Sequence, residues 1–229
     1  GVEMVMMDGT ICRVGGKTLD QEGYDLMGLI CGSEGLLGVI TEVTAKILKK
    51  PQVVKAALIG FPSIEEGANA TSEIISNGII PAGMEIMDKA LIEATDNFSK
   101  AGYPRDAELL LIVEVDGTES EVDILLKDVS SICKKNNCSS LKLSQSEKER
   151  LSFWSGRKSA FPACGAMAPD YYCMDGVIPR GKLAEALLEI KRLSEKYNLP
   201  VANCFHAGDG NLHPLIMYNG ADKEQFRKT

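Results

Sequence analysis

Apolar and polar positions alternate along this chain with two periods, and the switches between them set the expected elements. "GVEMVMM" and "ICRVGG" read as short strands on either side of Asp8-Gly9, a dipeptide that favours a hairpin turn. "GYDLMGLICG" fits a short helix leading into Val39–Leu48, a strand rich in β-branched residues. Pro51 marks a boundary. Beyond it, strands are expected at Ala56–Gly60, Ala82–Met87, Glu108–Val115, Ser140–Leu143, Tyr171–Val177, Val201–His206 and Pro214–Tyr218. Helices fit Ser63–Ser76, Lys89–Ala101, Glu119–Asn136, Ser146–Lys158 and Arg180–Tyr197. Three of these open on the S/T-x-x-E form of a capping box, "SIEE", "TESE" and "SEKE". In the helix Arg180–Tyr197, Leu183, Leu187, Ile190 and Leu193 recur at helical spacing as one apolar stripe.

This order predicts an α+β architecture: residues 1–51 as the edge of a β-rich domain, then residues 52–229 as a second domain. The strand–helix alternation of the second domain suggests a ferredoxin-like layer, with helices covering one face of a largely antiparallel sheet. At 229 residues and 45% apolar content the chain can bury a substantial core. A net charge of −7 argues against a nucleic-acid partner, because no excess of Lys and Arg is present to displace counterions. The seven cysteines form no CxxC pair and no disulfide framework, which suits a reducing cytoplasm. The sequence has no apolar run long enough to span a bilayer. The chain opens in a strand without a starting Met and stops where a helix has only begun, so a piece of a longer protein is expected.

The candidate chemistry concentrates in "HAGDGNLH", His206 to His213, which holds both histidines of the chain. If Asp209-Gly210 forms a two-residue turn, counting outward pairs Gly208 with Asn211, Ala207 with Leu212, and His206 with His213. Direct cross-strand neighbours have Cβ atoms roughly 4.5–5.5 Å apart, close enough for two imidazoles to share one metal ion. Two histidines beside a glycine turn can equally be ordinary polar loop groups. A catalytic metal also takes a third protein ligand from elsewhere. A second glycine-rich stretch, "GSEGLLGVITE" (Gly32–Glu42), precedes a strand instead of opening a helix. That placement excludes the dinucleotide-binding fingerprint. It allows close approach either of a flat ligand or of another backbone.

Taken together, four stretches resemble one family. "GSEGLLGVITE" is similar to the segment that closes the flavin-binding domain of FAD-linked oxidases of vanillyl-alcohol-oxidase type, and "HAGDGNLH" is similar to a signature of their C-terminal cap domain. "FWSGRKSAFPA" and "PDYYCMDGVIPR" resemble the branch that contains the glycolate oxidase flavin subunit and the D-lactate dehydrogenases. The resemblance implies that residues 1–51 end an FAD-binding domain and that residues 52–229 form a truncated cap, or substrate, domain. It implies that Glu34, Gly35, Gly38, Val39 and Ile40 line FAD, that His206 and His213 bind a divalent metal (Zn, Mn or Fe), and that Arg157 faces a substrate carboxylate. It also places the third metal ligand and the catalytic base in a Glu-His pair beyond residue 229, and the pyrophosphate loop before residue 1. The piece alone is therefore expected to be inactive and free of flavin.

The implied activity is oxidation of a small 2-hydroxy acid to the 2-oxo acid, with hydride passing to FAD. Dicarboxylate-oxidising relatives carry Thr and Lys where Phe161 and Cys173 align, and a polar Asn at Leu215. Apolar and neutral residues there would leave a second carboxylate unpaired, so glycolate or D-lactate is the expected substrate. Leu36 departs from the family's Thr, which alters one hydrogen bond near the flavin. Asp209 and Asn211 either orient the histidines or shape the turn. Trp154 is expected in the core, Cys173 as a small buried packing residue, and the Met-rich "EMVMM" and "MEIM" as strand core. An electron-transferring flavoprotein or iron–sulfur subunit would serve as electron acceptor, and would tether a cytoplasmic protein to the membrane periphery. The competing expectations are a non-catalytic ferredoxin-like module with a structural metal clip, or a subunit-interface domain forming a homodimer through its sheet edges.

Overall fold

In the computed structural model, which describes residues 1–18 and 23–229, the alternation of the first residues becomes a strand. Val2 and Met4 of β1 (Val2–Val5) turn inward and pack with Ile30 of α1 (Leu26–Ile30). Asp8 and Gly9 make the expected turn, with Thr10 N–H donating to Asp8 Oδ1 at 2.9 Å and Gly9 at φ +83°. The return strand β2 (Ile11–Val14) and β3 (Val39–Val43) flank β1 antiparallel on its two sides. On this small sheet Arg13 bridges Glu3 and Glu42. β3 stops at Val43 instead of running on to Leu48. Its ladder with β1 ends at Val43 opposite Val2, and just beyond it Thr44 N–H donates to Gly1 O. These elements make one unit, Gly1–Lys50, and Pro51–Thr229 make a second.

The second unit runs β4 (Val53–Phe61), α2 (Ile64–Ser76), β5 (Gly83–Asp88), α3 (Lys89–Ser99), β6 (Leu109–Gly117), α4 (Glu119–Lys135) and β7 (Ser140–Leu143). It continues with α5 (Glu147–Lys158), α6 (Ala160–Cys164), β8 (Asp170–Cys173), β9 (Gly176–Val177), a 3₁₀ turn (Arg180–Lys182) and α7 (Leu183–Tyr197). The strands β10 (Val201–His206) and β11 (Asn211–Tyr218) and the helix α8 (Lys223–Lys228) complete it. All pairings are antiparallel, in the order β7-β4-β6-β5-β10-β11-β8, with β9 also on β11. The first four strands and their crossovers α2 and α4 form the ferredoxin-like split βαβ. The other strands widen the sheet past β5.

Helices cover both faces of this sheet, not one. On one side α2, α4 and α7 bury Ile74, Val129 and Leu187 against Ile59, Leu111 and Phe205. On the other α3, α5 and α6 bury Leu91, Phe153 and Cys164 against Leu58, Leu110 and Cys204. The cause is written in β6, whose Leu109–Val113 run is apolar at every position and fully buried throughout, so neither of its faces can meet water. α6 is the helix without a sequence signal. Pro162 reads as a breaker, yet it falls in the first turn, where a missing N–H costs little. The apolar stripe of α7 is buried at Leu183 and Leu187, whereas Leu193 lies at the surface.

The expected strand Tyr171–Val177 is interrupted between β8 and β9. Both pieces hold one register on β11, Cys173 opposite Leu215 and Gly176 opposite Leu212. The gap lies opposite Pro214, which accepts from Met174 N–H but has no N–H to donate in return.

Asp88 ties the two layers together. Its Oδ1 caps α3 by accepting from Leu91 N–H at 3.1 Å, and its Oδ2 accepts from Asn203 N–H and Nδ2 at 3.0 and 2.6 Å. Burial outweighs these bonds and pushes the carboxyl up to about 6 from 3.8. A raised folded-state pKa means that the folded protein holds this proton more tightly than the unfolded chain. The stabilisation from protonated Asp88 is therefore complete below 3.8 and is lost as the pH rises through about 6. Urea unfolding between these pH values should show the stability of wild type, measured relative to that of Asp88→Asn, falling as the pH rises.

Candidate active site

Strand alternation selects the residues of the site. In β5, Glu85 and Met87 point to the face covered by α3, α5 and α6, and Met84 and Ile86 to the opposite core. The register places Glu85 directly opposite His206 of β10. The Glu85 side chain is only 11% exposed. Its Oε1 accepts from His206 Nδ1 at 2.7 Å and its Oε2 from Arg157 Nε at 2.9 Å. Arg157, itself 13% exposed, sits in the last turn of α5.

That last turn is pinned from below. Tyr103 Oη accepts from Arg157 N–H at 3.0 Å and donates to Phe153 O at 2.5 Å. Burial pushes the Tyr103 phenol far above its usual range, which keeps it a donor. Further up α5, Arg150 and the Trp154 indole both donate to Glu114 of β6, at 2.5 and 2.6 Å, and the Trp154 ring packs on Gly83. Trp154, expected in the core, is half-buried at its margin, with its polar edge satisfied.

The histidines meet, but not through the expected two-residue turn. His206 pairs with Asn211 and His213 pairs with Cys204, so the connection is the four-residue loop Ala207–Gly210 and the rings are diagonal neighbours on one face. Their centroids are 5.2 Å apart and their planes perpendicular. The loop has this length because its leading amides are taken by another strand: Ala207 and Gly208 N–H both donate to Met84 O. Only Gly210 is left-handed, at φ +74°, and a Cβ there would lie 2.3 Å from Ile178 O. Arg180 closes the loop with a 3.1 Å bond to Gly208 O.

His213 Nδ1 lies 3.6 Å from Asp175 Oδ1. Each imidazole therefore turns Nδ1 toward a carboxylate and leaves Nε2 without a partner among the described residues. Asn211 shares their face, and its Oδ1 is buried without a hydrogen-bond partner. Two nitrogen donors beside an unsatisfied oxygen suit part of a metal or polar-ligand site. Among the described residues, no group of three or more His, Cys, Asp or Glu could hold a metal.

The remaining sequence candidates fall in two places. Phe161 on α6 is 40% exposed, with its ring 6.1 Å from that of Tyr171 on β8. Cys173, expected to be buried, is exposed at the sheet edge; partial burial and neighbouring Asp175 push its thiol up, away from nucleophilic use. Leu215 is fully buried in the core and lines no open surface. In the first unit, Glu34 and Gly35 are consecutive left-handed residues at φ +52° and +79°, with open space around Gly35. Gly38 serves a close backbone approach, since a Cβ would lie 2.6 Å from Val5 O. Val39 and Ile40 begin β3 with exposed side chains.

Residues 50–229 match the family "FAD linked oxidases, C-terminal domain". The chain belongs to this family. Its relatives include the glycolate oxidase subunit GlcD of Escherichia coli strain K12, 49% identical over 228 residues that cover all of this chain and 46% of that protein. GlcD of Bacillus subtilis strain 168 is 34% identical and covered to 49%, and the mitochondrial D-lactate dehydrogenase [cytochrome] of Arabidopsis thaliana is 32% identical and covered to 40%. The chain thus spans less than half the length of these relatives. Among solved structures, 4-ethylphenol oxidase from Gulosibacter chungangensis (TM-score 0.71, 15% identity) and p-cresol methylhydroxylase (0.70, 16%) share the fold. They match 100% and 99% of this chain and 53% and 52% of their own.

Glu85 and Tyr103 stand outside the motifs that point to the site, and nothing in "PDYYCMDGVIPR" singles out Asp175. Glu85 alone carried a signal, as the one charge inside the otherwise apolar "GMEIM". For the loop, Gly210→Ala should lower the unfolding free energy by about 1–3 kcal/mol, the cost of a left-handed non-glycine residue plus its clash. Urea denaturation measures that loss, and a shifted His206–His213 ring geometry should accompany it in the histidine NMR signals.

Proposed function

We propose that this chain is the substrate-binding part of a flavin-dependent enzyme that oxidises a short 2-hydroxy acid, glycolate or D-lactate, to the 2-oxo acid. The observation that carries the proposal is the fixed grouping of Arg157, His206 and His213 on one face, tied through Glu85. The names of the glycolate oxidase and D-lactate dehydrogenase relatives support the same chemistry.

Arg157 spends Nε on Glu85, which leaves both terminal nitrogens of its fork for a substrate carboxylate. His206 and His213 would hold a divalent cation through their Nε2 atoms, with Asn211 Oδ1 beside them as an acceptor for a substrate hydroxyl. The oxidation removes a hydride from the hydroxyl-bearing carbon and a proton from its oxygen. When bound, FAD would accept the hydride and its electron pair, a Zn, Mn or Fe ion would make the hydroxyl more acidic, and the proton would pass to the general base that the family resemblance places beyond residue 229. In the first unit, the exposed left-handed backbone at Glu34 and Gly35 and the start of β3 at Val39 and Ile40 offer an open surface for part of the flavin, and Gly38 lets that strand lie close against β1. Phe161 and Cys173 present no cation, which favours a monocarboxylate over a dicarboxylate. Reduced flavin would pass its electrons to another protein, an electron-transferring flavoprotein or iron–sulfur subunit. The free thiols suit a reducing compartment, and no helix among the described residues is long and apolar enough to cross a membrane.

The test uses the full-length protein, mixed anaerobically with glycolate, D-lactate or D-2-hydroxyglutarate while flavin absorbance is followed. Bleaching by the monocarboxylates and its loss on chelation are the expected results; flavin that stays oxidised with all three acids overturns the proposal. Arg157→Lys should raise KM for the active acid by about 10–100-fold, the value of a charge-assisted bidentate contact. An unchanged KM would remove Arg157 from the substrate site.

A further inference from the structure

The Glu85 carboxylate has two oxygens and two different partners, and the donor inventory of those partners decides what it does. Arg157 can only donate. His206 can donate or accept at Nδ1, depending on its tautomer. An ionised carboxylate can only accept, so both contacts require the partner to donate. At 2.7 Å the His206 proton must therefore sit on Nδ1, and a neutral ring then carries its free lone pair on Nε2.

From this geometry we infer that Glu85 is a positioning residue that sets the His206 tautomer for metal binding while aiming the Arg157 fork. The inference rests on the proposed function for its purpose but not for its test. Three observations support it. Glu85 and His206 are direct cross-strand partners, so the contact is built into the sheet register and does not depend on a mobile loop. The Glu85 side chain is only 11% exposed, so its two oxygens depend on these two partners even though the His206 ring is partly exposed. Arg157 is fixed independently at its backbone by Tyr103, so its Nε approaches Glu85 from a set direction.

The substitution Glu85→Gln separates this role from mere packing. The amide has the shape of the carboxylate but one acceptor and one donor end. Because Arg157 Nε can only donate, the amide oxygen must face Arg157, and the amide nitrogen then faces His206 Nδ1. That nitrogen donates, so His206 must accept at Nδ1 and carry its proton on Nε2. The lone pair is thereby moved away from the metal position, with Arg157 still held.

Nitrogen-15 spectra of the histidine-labelled, metal-free full-length protein, recorded at about pH 9 where ordinary imidazoles are neutral, report which ring nitrogen bears the proton. The His206→Gln and His213→Gln variants assign the two rings. His206 should be protonated on Nδ1 in wild type and on Nε2 in Glu85→Gln, and Glu85→Asp should keep the wild-type form. In the full-length protein, Zn(II) affinity should fall about 10–100-fold in Glu85→Gln, the usual cost of losing a ligand's orienting partner. A wild-type His206 protonated on Nε2 overturns the inference by itself, even if the Gln variant fails to fold. An unchanged tautomer or unchanged Zn(II) affinity in a folded Gln variant overturns it as well. Neither spectra nor Zn(II) titration needs flavin or a hydroxy acid. An expected tautomer switch with no substrate-driven flavin reduction would therefore fault the proposed function and leave this inference standing.

Discussion

A carboxylate removed from water must be compensated, and the way Glu85 is compensated organises the second unit around it. A single buried charge costs several kcal/mol unless it is paired and hydrogen-bonded. Glu85 meets both needs with groups from distant parts of the chain, Arg157 at the end of α5 and His206 at the end of β10. The same contacts fix the directions of a guanidinium and an imidazole, so local electrostatic balance and site geometry are one arrangement. Tyr103 completes it from beneath. Its ring fills the space where any Cβ on Gly156 would intrude, at 2.3 Å, and its hydroxyl holds the backbone of Arg157. The arginine is therefore held at both ends.

Most elements were legible because their signals are local. The S/T-x-x-E signals at Ser63, Thr118 and Ser146 open helices where expected, and each capping hydroxyl accepts from the residue three positions on, with the full reciprocal box formed at Thr118 and Glu121. Strands Ser140–Leu143 and Val201–His206 match their expected bounds. The differences arise where a partner decides. β8 and β9 part opposite Pro214, and the sheet takes helices on both sides because β6 is apolar on both. The continuous run "LLLIV" carried that last signal, but strand–helix alternation alone does not say how many faces are covered.

The site was legible by residue type more than by geometry. Arginine and histidine announce their chemistry, whereas Glu85 sits in a strand that reads as core, and its partners lie 72 and 121 positions away. Nothing local links them; only the order β5-β10 does. The hairpin shows the same limit. Asp209-Gly210 has the composition of a two-residue turn, but Met84 O captures the amides of Ala207 and Gly208 and lengthens the loop to four. Both registers put the histidines on one face, because moving the pairing by two residues preserves the side of the sheet. The side survives the change of register, whereas the direct pairing becomes a diagonal one.

Pro214 extends this reasoning to the second histidine. A proline in a strand usually weakens it by withholding one ladder bond. Here it stands between His213 and Leu215, at the place where β8 gives way to β9. The register continues unchanged through the gap, which sets Asp175 opposite His213 without committing Asp175 to the ladder. Asp175 is largely exposed, and its carboxylate lies 3.6 Å from Nδ1, a looser hold than the buried Glu85 gives His206. The two imidazoles are therefore held differently. His206, 44% exposed, takes its direction from a short bond to a buried carboxylate, whereas His213, 18% exposed, is held chiefly by its burial. By interrupting the ladder at this point, a single proline leaves the carboxylate beside His213 at the surface while the one beside His206 stays inside the sheet.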